Sequence, residues 1–206
     1  MHINRAGTAW RKGGVMVAAA ALVAAMAAGG PVAAQSTGLK AVRDPENRFT
    51  IEVPAAWNVQ TQAKNPSVTA KSAAPKSALP DSLEVTVYDW ATSISPQDCI
   101  GESDLVLRYA IHTWTTVKEG PVTVAGQPGY SRVYNWKASN GEPRQSVETC
   151  VTHGKRVYVA VGTTDNTSTK MAATMPLIQR SIATLQPNLA NAPAQTSPST
   201  KRTGKE

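Results

Sequence analysis

Three features of the sequence predict an α+β sandwich built on a meander of antiparallel strands. Strand-like segments from Gly129 onward follow one another through short turn signals, an amphipathic helical stretch lies on each side of that run, and strands and helices do not alternate as βαβ units. The chain has 206 residues, of which 41% are apolar, a globular composition with length for one core.

The first segment, residues 1–34, reads as a signal peptide. Arg5, Arg11 and Lys12 form a basic start, Val15 to Ala28 is an unbroken apolar run, and Val32 and Ala34 place small side chains before a cleavage point at Gln35. Fourteen helical residues rise about 21 Å, short of a roughly 30 Å hydrocarbon core, so no stable membrane insertion is expected after cleavage. The expected location is periplasmic or secreted. The folded domain is expected over 35–186, and 187–206, rich in Pro, Ala, Asn, Ser and Thr, is expected to be a disordered tail.

Within the domain, Phe49, Ile51 and Val53 alternate with Thr50 and Glu52, after a turn at Asp44 to Asn47 and before Pro54, which predicts a strand with one buried face. Trp57 to Gln60 and Val68 to Lys71 are weaker strand candidates. Ser72 to Asp81 is a loop with two prolines, and Leu83 to Trp90 alternates as a further strand. Ser95, Pro96 and Asp98 form a helix start, with Ile100, Leu107, Ala110, Ile111 and Trp114 on one face; Gly101 is expected to divide this helix. Three strands follow, Gly129 to Lys137, Arg144 to Thr152 and Lys155 to Thr163, joined by two-residue turns at Asn140-Gly141 and His153-Gly154. Met171, Met175, Ile178, Ile182 and Leu185 then form an amphipathic stripe that Pro176 is expected to kink or divide.

The formal charge is +7, yet three basic residues leave with residues 1–34, and 35–186 holds 15 basic residues against 13 acidic ones. That balance, and the lack of a basic stripe, argue against nucleic-acid binding. His112 and His153 are the histidines left after cleavage, and no metal-ligand spacing, nucleophile elbow or phosphate-binding glycine loop is present, so no metal or cofactor is expected. His112 reads as a partly buried or surface helix residue and His153 as a turn residue.

Cys99 and Cys150 are expected to pair in an oxidising compartment, the alternative being Cys99 as a thiol nucleophile at a helix start. With two-residue turns, Cys150 lies opposite Val157 in an apolar layer, whereas Tyr130, Arg132, Tyr134 and Trp136 share the other face with Arg156 and Tyr158. That second face reads either as a core layer rimmed by arginines or as a binding site for a protein partner or an anionic or aromatic small ligand.

The segment Phe49 to Trp57, a strand followed by Pro54 and Trp57, the Gly126 to Tyr130 turn into a strand, and the closing amphipathic helix resemble the PsbP-like family, which includes Ran-binding nuclear-transport factors and exported bacterial proteins of unknown role. The likeness covers Leu39 to Gln186 and implies the family's fold, an α/β/α sandwich around a mainly antiparallel sheet; the family supplies no shared catalytic residues. The functional expectation is an exported non-catalytic binding or accessory protein of the bacterial cell envelope. The alternatives are an enzyme without a recognisable local motif and a purely structural envelope component.

Overall fold

A computed structural model gives the fold of residues 38–75, 78–111 and 113–191. The expected signal peptide, His112 and the part of the expected tail beyond Asn191 lie outside these residues. A three-stranded sheet has the order β1-β2-β10 (Leu39–Arg43, Phe49–Pro54, Gln186–Pro187). A seven-stranded antiparallel sheet has the order β3-β4-β5-β9-β8-β7-β6. Its strands are β3 Asn58–Thr61, β4 Val68–Lys71, β5 Ser82–Asp89, β6 Trp114–Val124, β7 Gln127–Lys137, β8 Pro143–His153 and β9 Arg156–Asp165. Helix α1 (Pro96–Ala110) lies on one face of the large sheet; α2 (Ser168–Ala183) and the small sheet cover the other. The layers are those of an α/β/α sandwich.

The main core lies on the α2 side. Phe49, Ile51 and Val53 from β2 meet Leu83, Val85, Tyr158 and Ala160 from the large sheet and Met175, Ile178 and Ile182 from α2. These side chains are buried because strand alternation and helical spacing turn them to one side, and burying each contributes about 1.5–3 kcal/mol. Gly162 on β9 lets α2 approach: a Cβ there would stand 2.0 Å from a methyl group of Ile178. The β1–β2 turn is held by Asp44, whose carboxylate accepts from the backbone N–H groups of Glu46 (3.2 Å) and Arg48 (2.9 Å), while Asn47 takes the left-handed conformation (φ 56°).

Ser95 caps α1 by accepting from the Asp98 N–H at 3.0 Å, with Pro96 in the first turn. The helix runs through Gly101 unbroken, and α2 continues through Pro176. Trp114, expected on the helix, begins β6. This strand escapes the alternation rule because it is the sheet edge and both its faces are largely exposed. Residues 187–191, expected in the tail, belong to the fold: Pro187 is buried and pairs with Phe49, Asn188 donates to the Arg48 carbonyl at 2.7 Å, and Leu189–Asn191 forms a 3-10 turn. Backbone pairing and a buried proline anchor a stretch whose one large apolar residue, Leu189, is exposed.

Candidate functional site

The β7–β8 connection decides which residues meet. Instead of a two-residue turn, Ala138 and Glu142 enclose a three-residue loop in which the Gly141 N–H donates to the Ala138 carbonyl at 2.8 Å and Gly141 adopts φ +85°. This is a turn followed by a glycine bulge, and the extra residue moves the register by one. Tyr130 pairs with Cys150, Arg132 with Glu148, Tyr134 with Ser146 and Trp136 with Arg144. The next turn is Gly154-Lys155, so Cys150 stands opposite Val159 rather than Val157, a two-residue shift that keeps its face.

The expected six-residue surface is therefore divided by the sheet. Tyr130, Arg132, Tyr134 and Trp136 lie on the α1 face with Cys150, the face from which they were expected to be excluded. Arg156 and Tyr158 lie on the opposite face, where Tyr158 meets Phe49 edge-on with ring centroids 6.2 Å apart.

On the α1 face, Cys99 and Cys150 are joined, with S–S 2.02 Å and Cα–Cα 6.3 Å. Beside them the buried Arg132 guanidinium donates to Asp104, to Ser103 Oγ at 2.9 Å and to Glu148 Oε2 at 2.9 Å, and lies 5.5 Å from the centre of the Tyr134 ring. Burial holds the Glu148 carboxyl above its ordinary value although Arg132 opposes the shift. Burial, reinforced by Glu148, pushes the Tyr134 hydroxyl up to about 12. Two carboxylates thus face Arg132, and its charge fastens α1 to the sheet. On the other face Arg156 grips Asp89 with two bonds of 2.7 and 3.0 Å, and Tyr158 donates to the Arg48 carbonyl at 3.2 Å. Both arginines are engaged in internal ion pairs, so an arginine-rich anion groove is not what this arrangement builds.

One concave surface is lined by none of the residues expected for the site. On the α2 side, where the β6–β7 hairpin extends past the helix, Val122, Val124, Val133 and Val147 form the floor of a groove of about 370 Å³. Gln179, Ile182 and Ala183 of α2 form its wall, and Lys118 stands at its mouth. The sequence carried one signal for it, the Val122 and Val124 alternation, which becomes readable once β6 is recognised as a strand. The groove can take an apolar group and place a positive charge beside it.

The sequence matches no protein-family model and no curated protein. Its fold matches solved structures. Cyanobacterial PsbP, CyanoP, from Synechocystis superposes with a TM-score of 0.56 at 13% identity, covering 77% of this chain and 96% of that one. The Ran-binding protein Mog1p of Saccharomyces cerevisiae gives 0.53 at 10% identity, covering 72% and 95%. LpqN, described as involved in cell envelope biogenesis of Mycobacterium tuberculosis, gives 0.51 at 14% identity, covering 73% and 91%. At these identities the likeness is one of fold: the chain is a PsbP/Mog1-like sandwich, a scaffold on which function depends on the local site.

Proposed function

We propose that the protein is an exported, non-catalytic binding or accessory protein of the cell envelope that receives an apolar or amphipathic ligand in the groove between α2 and the β6–β7 hairpin. The groove carries this reading: valines on the floor and Ile182 on the wall leave apolar surface that α2 does not cover. The Cys99–Cys150 disulfide supports export, since such bonds persist in oxidising compartments. The envelope role stated for LpqN, which has the same fold, agrees with it.

The test is uptake of an environment-sensitive apolar dye by the purified protein, compared with Val133→Trp, which fills the groove from its floor. Saturable uptake weakened by about 10-fold or more in the variant, with an unchanged melting temperature, is expected. Absence of saturable uptake, or equal uptake by both proteins, removes the groove as the binding surface and favours the structural-component alternative.

A further inference from the structure

The opposite face of the large sheet carries a second concavity. We infer that the cleft between Trp136 and the Leu79-Pro80 segment is a binding site for a pyranose ring of a neutral glycan. It has a volume of about 260 Å³ and is lined by Lys71, Ser82, Glu84, Val161 and Thr163 between those two walls. This reading does not depend on the apolar groove, which lies on the α2 side.

Helix α1 makes its main contacts with β7 and β8, and the cleft lies at the ends of β4, β5 and β9 marked by Lys71, Ser82 and Thr163. Pairing sets Lys71 opposite Ser82 and Ser82 opposite Thr163, a cross-strand row on the α1 side; Glu84 follows two residues along β5. Both walls are held in place. Arg144, 3% exposed, donates to the carbonyls of Leu79 (3.2 Å) and Pro80 (2.8 Å), fixing the loop wall. Trp136 donates its indole N–H to Ser146 Oγ at 2.8 Å, and Ser146 is hydrogen-bonded to Thr163 at 2.8 Å, which ties the aromatic wall to the floor.

The chemistry of this lining selects the ligand class. An indole attracts the weakly positive C–H bonds of a sugar ring to its negative π-face, while its edge is occupied by the Ser146 bond. Sugar hydroxyls both donate and accept. They can donate to the Glu84 carboxylate, accept from the Lys71 ammonium, and do either with the hydroxyls of Ser82 and Thr163. Arg144 also lines the cleft, but its guanidinium is turned to the Leu79 and Pro80 carbonyls, which leaves Lys71 and Glu84, one charge of each sign, to meet the hydroxyls of a neutral polyol.

The experiment is calorimetric titration of the purified protein with neutral trisaccharides of glucose, mannose, galactose and N-acetylglucosamine. At least one is expected to bind with millimolar or tighter affinity. Trp136→Ala should weaken it by about 10-fold or more, as loss of an aromatic anchor does, and Lys71→Ala, at an exposed position, severalfold. Trp136→Phe, which keeps a ring but lacks the indole N–H, should retain more affinity than the alanine variant. Val133→Trp, in the other groove, should leave glycan binding unchanged. No binding by any of the trisaccharides overturns the inference, as does binding that survives both Trp136→Ala and Lys71→Ala.

Discussion

The two faces of the large sheet are covered by unlike means. On the α2 face, Ile178 and Ile182 interlock with the sheet and β2 in a continuous apolar core. On the α1 face the fully buried apolar cluster is small, comprising Cys99, Ile100, Cys150 and Val157, and the helix is fastened by a covalent bond and the Arg132 ion-pair cluster. One helix is seated by area and the other by a few specific links. The difference teaches that a helix over a polar sheet face needs attachment points, because such a face supplies little of the non-directional driving force of apolar burial.

Breaking each attachment separates the two mechanisms. Closure of the chain between Cys99 and Cys150, 51 residues apart, is worth about 4 kcal/mol in the chain-entropy description, so the double alanine variant should lose about that much by urea unfolding. Hydrogen exchange in this variant should accelerate first in α1, with the amides of β5 and β9 still protected. Ile178→Ala should cost about 3 kcal/mol, the range for an emptied core site, and should lower the protection of α2, β2 and β9 together. If α1 remains as protected as the large sheet after loss of both cysteines, the Arg132 cluster suffices and the covalent strap is redundant.

The same contrast explains what could be read from the chain. The α2 face was legible because Phe49, Ile51 and Val53 alternate and Met171, Met175, Ile178 and Ile182 follow helical spacing, patterns that report burial directly. On the α1 face the Cys99–Cys150 pair was legible but the polar cluster was not, since Arg132, Glu148 and Ser146 are buried polar residues whose pairing across the sheet has no sequence period. Its register turned on Gly141 forming a bulge instead of completing a two-residue turn, and that single residue moved four expected site residues to the other face. The apolar groove was missed with β6, whose exposed edge position removes the alternation that marks a strand.

A second expected effect concerns pH. Glu148 is held above its ordinary value by burial, so the folded state keeps a proton there that the unfolded chain has lost; stability from this group should fall as pH rises from the ordinary glutamate value through the raised one. Asp44 and Asp89 behave oppositely. Burial opposes but Arg48 outweighs it at Asp44, and the Arg156 hydrogen bonds lead at Asp89, so both are lowered and contribute stability above the ordinary aspartate value that is lost as pH falls through their folded values. Urea midpoints measured between about pH 3 and 7 should show both limbs. Glu148→Gln should remove the decline on the higher-pH side and leave the acid limb in place; a decline that persists in this variant would assign it to another group.

The smallest effect is expected on the outer surface of α1. Leu105, Val106 and Tyr109 are 58%, 66% and 87% exposed, so the apolar character of this surface does not arise from packing against the sheet. If the disulfide and Arg132 cluster account for the seating of α1, Tyr109→Ser removes little that the fold uses, and stability should change by less than about 0.5 kcal/mol, as for a surface substitution without a special contact. The elution volume of the protein on a sizing column should also be unchanged. A loss of stability well beyond that value would show that the outer surface helps seat the helix, narrowing the contrast between the two faces. A shift to a smaller species would show instead that Tyr109 was buried against a second copy, and that α1 is held from both sides.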